Sequence, residues 1–352
     1  MTFSVKTSTN IPEFWDENLS KNKSSTGYQI SSWGMIYQES YNSTPLFLEV
    51  TKNNDLAAQL LVLLHANYSW RDANPLATKL GEKLNMKNSL DWIYGPIIHD
   101  SSSYTEIIEA ILSELDSIAK ENNVNNIRGT IPPLFEKSTE QIFKKFGYSS
   151  TSWATHVIDL QQDEQSIYTE LDKKTRYDIR KSEKNGLKFE IGHNFNSILA
   201  FNNIKQNPKN ITNNSDIMTK SRWENLYSTD NGKLFLAKFE DECIGGISAL
   251  TFNKNIVQHG VGNIKTNLLG GTFLTWNLIK WGIKHNFTTL DLGGINPYPQ
   301  SKKEKQISFY KSKWGGKNFE YKIYTKIFDN TKYRISTILK NPTKLKNFLK
   351  SN

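Results

Sequence analysis

The chain has 352 residues, which is long enough for two domains of ordinary size, each with its own core. A hydrophobic fraction of 37% and an aromatic fraction of 12% are typical of globular proteins and exclude a largely disordered chain. The single cysteine, Cys243, excludes an internal disulfide and a zinc site built from a cysteine cluster, and it fits a reducing compartment.

The net charge of +9 is concentrated near the C-terminus. Residues 301–352 contain fourteen Lys or Arg side chains and three acids, a net charge of +11, so the preceding residues sum to −2. This gradient favours an anionic partner; nucleic acid, phospholipid and a diphosphate substrate remain open beside a merely solvated lysine-rich surface. Because no signal peptide precedes Ile11 and no apolar run reaches the ~20 residues of a membrane span, we expect a cytoplasmic protein.

The predicted elements follow one pattern twice in chain order. Each half has a strand-turn-strand hairpin, a strand that ends in glycine, an amphipathic helix and a further strand. In the first half these are Leu46–Val50, Ala57–Leu64, Trp92–Gly95, the helix Tyr104–Asn122 and Asn126–Gly129. In the second half they are Leu234–Lys238, Ile244–Phe252, Val257–Gly262, the helix Thr272–His285 and Leu290–Gly293. The order predicts an α/β fold of the mixed α+β type, with two similar domains, each a mixed sheet flanked by helices.

Polar residues between Leu160 and Ser166 mark the expected join between these domains. We predict a first domain at 1–162, a second domain with the main catalytic motifs at 163–330, and a basic tail at 331–352. Apolar residues recur among the lysines of this tail. It either lies on an anionic membrane surface or packs as a helix that Pro342 interrupts.

Several common catalytic patterns are missing from the sequence. The six histidines are scattered, with no His-x-x-x-His pair and no acid at metal-ligand spacing, so we expect no metal site. There is no phosphate loop of the Gly-Lys-Ser type and no Gly-x-Ser-x-Gly elbow. These observations disfavour a metal hydrolase, a kinase-like enzyme and a serine esterase.

The segment from Leu290 to Gly316 carries the strongest chemical signal. An apolar strand ends in Asp291, Leu292, Gly293 and Gly294, and glycines there let a backbone approach a ligand closely. Lys311 and Lys313 then lie between Tyr310 and Trp314, and Gly315 and Gly316 end the short helix that holds them. An ammonium between aromatic walls can stabilise the negative charge that appears during acyl transfer. The alternative is an ordinary helix with surface lysines.

A basic helix is predicted between Leu171 and Gly186. Lys173, Arg176 and Arg180 share one face with Lys184, and like charges stacked in this way repel one another. The pattern favours a face that contacts phosphate, although a solvated helix neutralised by its own acids remains open.

Three of these motifs together resemble the FemABX aminoacyltransferases. The aromatic-Lys-x-x-aromatic-Gly motif at Tyr310–Gly315 follows an Asp-Leu-Gly-Gly strand end, and the basic helix resembles the one that opens the second domain of that family. Near the start, Tyr28–Ile36 is similar to the family's Gln-Ser-x-x-Trp motif. The resemblance covers most of residues 25 to 325. It implies two tandem domains, each with a GNAT-like (N-acetyltransferase) fold.

The resemblance also implies roles for individual residues. Lys311 would neutralise the oxyanion formed when an amine attacks an aminoacyl ester, and Asp291 would orient or deprotonate that amine unless it only caps the glycine turn. The residues expected to bind substrate, in a site between the domains, are Lys173, Arg176, Arg180, His259, Asn263, Gly293, Gly294, Tyr310, Lys313, Trp314, Gln29, Trp33 and Tyr37. Tyr37 replaces a lysine that meets substrate phosphate in many relatives, which leaves the acceptor open.

The function implied is transfer of an aminoacyl group from aminoacyl-tRNA to an amine of a cell-envelope, peptidoglycan-like precursor, which is lipid-linked or free. We expect a monomer that uses no cofactor. It would act in the cytoplasm or at the inner face of the membrane. A second interpretation is an acyl-CoA-dependent enzyme acting on an amino sugar of a surface polysaccharide. The altered Tyr37 favours it, whereas the loop Ile264–Gly271 lacks the glycine-spaced basic pattern of CoA enzymes. A third is a basic protein that binds RNA or anionic lipid without chemistry.

Overall fold

A computed structural model divides the chain into two compact units and describes residues 3–41, 43–65, 89–133, 139–205, 220–264, 266–330 and 333. Unit 1 comprises Met1–Ser25, Gln29–Thr151 and Lys322–Asn352, and unit 2 comprises Thr26–Tyr28 and Ser152–Tyr321. In the described part of the chain no helix is both long enough and apolar enough to cross a membrane.

Unit 1 is built on a mixed sheet. Its strands are β1 (Phe3–Ser8), β2 (Ser43–Lys52), β3 (Asp55–His65), β4 (Ser89–Trp92), β5 (Ile97–Ile98) and β6 (Asn126–Thr130). The order is β1-β2-β3-β4-β6, and only β4 and β6 pair in parallel. The helices are α1 (Trp15–Ser20), α2 (Ser31–Tyr41), α3 (Tyr104–Glu121) and α4 (Glu140–Lys145). Isoleucines and leucines at helical spacing bury one face of α3 in the core of this sheet.

Unit 2 repeats the pattern. Its strands are β7 (Ser149–Asp159), β8 (Lys188–Ile191), β9 (Gly232–Phe239), β10 (Glu242–Phe252), β11 (Asn255–Asn263) and β12 (Thr289–Asp291), in the order β7-β12-β11-β10-β9-β8. The helices are α5 (Glu164–Glu170), α6 (Lys173–Lys184), α7 (Phe195–Lys205), α8 (Gly270–Lys284) and α9 (Lys302–Ser312), with a π-helical turn at Trp223–Tyr227. Phe273, Trp276 and Ile279 of α8 belong to the buried core of unit 2.

The predicted mixed α+β class and the duplicated order of elements are confirmed. Both hairpins, both long helices, the basic helix and the short helix before Gly315 form within a few residues of their predicted bounds. The units nevertheless divide the chain at other points than 162 and 330. Most of β7 belongs to unit 2, where it pairs with β12. The last strand, β13 (Lys317–Ile327), begins in unit 2 and ends in unit 1, where it pairs with β6. The predicted tail at 331–352 lies outside the described residues, apart from Tyr333.

Two irregularities in unit 2 shape the end of its sheet. The register of β10 and β11 shifts between Ser248 and Ala249, which leaves His259 as an extra residue in a β-bulge. In addition, β12 pairs with β11 only as far as Val257 and Asp291. Bulges are frequent beside active sites because they re-aim side chains and end strand pairing. The residues after Asp291 are therefore free to form a turn.

Candidate functional site

Lys311 reaches the end of β12 from helix α9. A capping box between Ser301 and Glu304 fixes the start of this helix, and Lys311 lies in its last turn. Its Nζ donates hydrogen bonds to the carbonyl oxygens of Gly293 at 2.8 Å and Gly294 at 3.2 Å. Lys311 and this glycine pair, all of them candidate site residues, are thus in hydrogen-bond contact within unit 2.

Asp291 and Thr155 hold the turn on which Lys311 rests. The carboxylate of Asp291 accepts the hydroxyl hydrogen of Thr155 and the backbone N–H of Gly293, the latter at 2.7 Å. The Thr155 hydroxyl also lies 2.9 Å from the Gly293 carbonyl oxygen. Both side chains are buried. These bonds support a capping role for Asp291, because its carboxylate is engaged by the turn itself.

Gly293 is required at this turn for two reasons. Its φ of +81° lies in the left-handed region, which strains other residues. A β-carbon at this position would also come within 2.9 Å of the Gln258 carbonyl oxygen and 3.4 Å of Lys311 Nζ. The absence of a side chain therefore gives the ammonium its place at the strand end.

The environment of Lys311 lowers the pKa of its ammonium to about 8. Burial is the main cause, because a desolvated ammonium is less stable than the neutral amine, while the negative charge of Asp291 opposes the shift. Near neutral pH the side chain is still mostly charged. It can therefore stabilise an oxyanion, and it releases a proton more readily than a surface lysine.

A second group of predicted residues surrounds the N-terminus of α8. The Tyr310 hydroxyl donates to the Gly271 carbonyl oxygen at 2.8 Å, and burial raises its pKa to about 12. Lys313 Nζ donates to Thr272 Oγ1 at 3.3 Å and lies over the rings of Tyr310 and Trp314, 4.8 and 5.4 Å from their centroids. Lys313 therefore contacts a different part of the unit from Lys311.

Asn263 completes this group. A β-carbon at Gly270 would come within 2.9 Å of Asn263 Oδ1, so the amide lies directly against the start of α8. No side chain caps this helix at Leu269. Its first N–H groups, the Asn263 amide and the ammonium of Lys313 form a polar, positive region suited to an anion.

The Trp314 side chain is buried and is not exposed to contact a substrate directly. Its side chain is only 1% exposed and packs in the core of unit 2. It also borders a cavity of about 410 Å³ whose lining residues are Val157, Ile158, Asp159, Gln162, Ile167, Glu170, Trp314, Gly315, Gly316 and Lys317. Val157, Ile158, Ile167 and Trp314 give the cavity its apolar lining, and two carboxylates, an amide and a lysine are among the other lining residues.

Two arginines of the basic helix α6 form hydrogen bonds to uncharged groups of α5. Arg176 donates to the Thr169 carbonyl oxygen at 3.2 Å, and Arg180 donates to the Tyr168 hydroxyl at 2.9 Å. Lys173 and Arg180 remain exposed, whereas Arg176 is half-buried. α6 packs on α8, and Lys280 of α8 is 3.2 Å from Glu183 of α6. The expected phosphate-facing role of this face stays a prediction.

His259, at the bulge, contacts Tyr28. Their side chains are 3.3 Å apart, and the two rings meet edge to face at 5.9 Å. Both residues belong to unit 2. The bulge turns the His259 side chain out of the regular alternation of β11.

The residues predicted from the first motif lie in unit 1. Gln29 is fully buried, with its amide donating to the Ile93 carbonyl oxygen at 2.7 Å and accepting from the Leu61 N–H at 2.8 Å. Trp33 is 3% exposed and packs 5.2 Å from the Tyr37 ring, which also lies 5.9 Å from the His65 ring. The contacts of Gln29 and Trp33 support the packing of unit 1, and Tyr37 is the half-buried member of this group.

The sequence did not point to Thr155 or to its neighbour His156. Both are buried on β7, and β7 lies beside β12 only because the sheet order places it there. The sequence offered only a weak signal for these two residues, namely a polar Thr-His pair just before an apolar strand. Among the described residues, no group of three or more His, Cys, Asp or Glu side chains is placed to hold a metal ion.

Comparison with known proteins shows the fold. No family model matches the chain, and no curated protein sequence does so. A crystal structure of FemX has a TM-score of 0.69 at 12% identity and covers 95% of this chain and 99% of its own. The structure of L-PGS from Bacillus licheniformis has a TM-score of 0.54 at 12% identity, covering 92% and 97%. A tandem GNAT protein from the clavulanic acid biosynthesis pathway has a TM-score of 0.54 at 9% identity, covering 93% and 98%. The predicted tandem GNAT-like fold, shared with FemX, is confirmed.

Replacing Thr155 by Val should destabilise unit 2. The substitution keeps the shape of the side chain but leaves the buried Asp291 carboxylate without one of its donors, which costs about 1–3 kcal/mol. Thr155→Ser keeps the hydroxyl and should stay closer to the wild type. Urea denaturation measures both variants. Equal losses for Val and Ser would mean that Thr155 contributes packing and not hydrogen bonds.

The pKa of the Lys311 side chain should lie well below the ordinary value for lysine. We expect an apparent pKa near 8 in an NMR titration of labelled lysine side chains, with the exposed Lys305 as the matched control. Asp291→Asn should lower the pKa of Lys311 further, because it removes the opposing charge but keeps an oxygen for the Gly293 N–H. A Lys311 pKa equal to that of Lys305 would contradict the described burial.

Proposed function

We propose that this chain is an acyltransferase of the FemABX type, which moves an aminoacyl group from aminoacyl-tRNA to an amine of a cell-envelope precursor. The observation that carries this proposal is the partly buried ammonium of Lys311, fixed at the open end of β12 in a fold shared with FemX. The C-terminal domain of a putative lysylphosphatidylglycerol synthetase from Agrobacterium fabrum shares the fold as well, with a TM-score of 0.53 at 10% identity.

The chemistry assigned to Lys311 is electrostatic. The acceptor amine attacks the ester carbonyl carbon, and the carbonyl oxygen becomes an oxyanion in the tetrahedral intermediate. The ammonium of Lys311 is positioned to donate to that oxygen in place of one of the two glycine carbonyls that it contacts now. One such donor commonly contributes about 10² to 10³ in rate.

Asp291 acts in this proposal as a positioning residue. Its carboxylate holds the Gly293 turn and favours the charged form of Lys311, so it sets both the place and the charge of the catalytic ammonium. Deprotonation of the amine, the other role considered for Asp291, would have to use the second carboxylate oxygen, because Thr155 and Gly293 both donate to Oδ1.

In this proposal the aminoacyl-tRNA donor binds to the positively charged groups of unit 2. The start of α8 with Lys313 suits a phosphate group, and the exposed Lys173 and Arg180 of α6 extend this charge. The cavity beside Trp314 has room for the side chain of a transferred or accepting group. The reaction needs no cofactor. We place it in the cytoplasm, or at the inner face of the membrane when the precursor is lipid-linked, and assign it to a monomer.

A second candidate function is acyl-CoA-dependent transfer to an amino sugar. The observation that favours it is again the uncapped start of α8, since a diphosphate at this helix N-terminus would meet Lys313 and free N–H groups. The missing glycine-spaced pattern between Ile264 and Gly271 counts against it. The two functions differ in their donor and are separated by binding measurements.

Lys311→Met should lower kcat of aminoacyl transfer by about 10² or more with little change in KM, because the interaction with the oxyanion exists only in the transition state. Lys305→Met, on an exposed face of the same helix, is the matched control and should keep wild-type rates. Lys313→Met should be milder than Lys311→Met. Lys311→Arg keeps the charge but changes the shape of the head, and we expect it to be impaired as well. Equal, mild effects of Lys311→Met and Lys305→Met would remove the catalytic assignment.

Charged tRNA should bind with strong salt dependence, because phosphate contacts release counterions. Acetyl-CoA should bind weakly. Isothermal calorimetry at several salt concentrations measures both, with Lys313→Gln expected to weaken the binding of whichever donor places phosphate at α8. Tight acetyl-CoA binding without retention of tRNA at low salt would favour the second candidate function.

A further inference from the structure

The side chain of Trp153 lies against the glycine turn and has no role in the mechanism above. A β-carbon at Gly294 would come within 2.2 Å of Trp153 Nε1 and 2.7 Å of Trp153 Cδ1. The edge of the indole that carries the N–H therefore meets the turn. It can take this position only because Gly294 has no β-carbon, and any larger residue there would displace the ring.

The pairing of β7 with the turn brings the indole to Gly294. Backbone hydrogen bonds join the residues before and after the glycine pair to His156 and Ala154 of β7. Only Thr155 lies between these two residues, so one residue of β7 stands opposite both Gly293 and Gly294. This two-against-one arrangement is a β-bulge, a feature that is frequent beside active sites.

The indole lies on the same face of the sheet as the Asp291 carboxylate. Side chains two residues apart on a strand share a face, and Trp153 and Thr155 have this spacing on β7. The Thr155 hydroxyl binds the Asp291 carboxylate. The ammonium of Lys311 donates to the Gly294 carbonyl oxygen at 3.2 Å. Two donors, an ammonium and an indole N–H, thus converge on one residue of the turn.

The N–H of Trp153 has no acceptor in the described part of the chain. The side chain is half-buried and its Nε1 keeps contact with solvent, unlike Nε1 of Trp314, which is inaccessible. An indole nitrogen can donate a hydrogen bond but cannot accept one. A group that displaces water from this place must therefore offer an acceptor, or the N–H loses its hydrogen bond.

We propose that the Trp153 indole donates a hydrogen bond to the carbonyl oxygen of the acyl group, a role that rests on the acyl transfer proposed above. This oxygen becomes negative as the amine attacks, so the bond strengthens in the tetrahedral intermediate. Lys311 supplies a charged donor at the Gly294 carbonyl, and Trp153 supplies a neutral donor at the α-carbon of the same residue. The indole keeps its proton throughout the reaction.

Trp153→Phe tests this role, because it keeps an aromatic ring beside Gly294 but removes the N–H. It should lower kcat by about 10² with little change in KM, since the charge that the N–H stabilises appears only in the transition state. Trp223→Phe, at a half-buried tryptophan of the π-helical turn, is the matched control and should keep wild-type rates. Thermal unfolding verifies that both variants are folded.

The kinetic outcomes separate the possible roles of the indole. A raised KM with an unchanged kcat would overturn the contact with the oxyanion. Wild-type kinetics in folded Trp153→Phe, with Lys311→Met inactive, would overturn the role of the indole and leave the acyl transfer intact. Absence of transfer by the wild type from any acyl donor to any amine would overturn the proposed function together with this role.

Gly294→Ala gives a second test, which also serves if Trp153→Phe fails to fold. The new β-carbon would displace the indole, so kcat should fall, and it should fall less in the Trp153→Phe background, where no indole remains to be displaced. An NMR spectrum of protein labelled with ¹⁵N at tryptophan needs no transfer assay. Gly294→Ala should shift the indole N–H resonance of Trp153 and leave that of Trp223 in place. An unshifted Trp153 resonance would overturn the contact on which the proposal rests.

Discussion

The carbonyl oxygen of Gly293 is the point on which the candidate site depends. It accepts the ammonium of Lys311 at 2.8 Å and is approached by the Thr155 hydroxyl at 2.9 Å, while the N–H of the same residue binds Asp291. One residue thus joins three separate segments of the chain: β7, the end of β12 and helix α9. Removing a cation from water is costly unless carbonyls or carboxylates replace the lost solvation, and here two carbonyls and a nearby carboxylate do so.

The two units have similar elements but fill the corresponding strand ends differently. In unit 2, β12 ends in a glycine turn that leaves room for Lys311. In unit 1, β6 runs beside β4, and a β-carbon at Gly129 would lie 1.9 Å from the ring of Trp92. An indole therefore occupies the place next to Gly129. Interiors are closely packed, so the space at such a strand end holds either an aromatic ring or a polar side chain. Trp92 fills it at the end of β6, and Lys311 fills it at the end of β12, which explains why the two similar units differ here.

Much of the candidate site was predictable, because its signals are local. The spacing of Tyr310, Lys311 and Trp314, and the glycines after Asp291, were read directly from the sequence, and in the structure Lys311 contacts Gly293. The ambiguous roles were those that depend on contacts. Asp291 fitted both a base and a cap until the bonds from Thr155 and Gly293 favoured the cap. Gln29 fitted a substrate contact, yet its amide is used between two buried backbone groups.

The sequence by itself determined the mixed α+β class, the duplicated order of elements and the lysine that follows the glycine turn, since periodicity, turn residues and short motifs depend on neighbours in the chain. Only the tertiary structure decided that Thr155 stands beside Gly293, that Lys311 is desolvated whereas Lys313 contacts the start of α8, and that the segment from Lys322 belongs to unit 1. The physical reason is that strand order and burial are set by packing between segments that are separated in the chain, by 138 positions for Thr155 and Gly293 and by 41 for Lys313 and Thr272, and neither leaves a trace in local spacing.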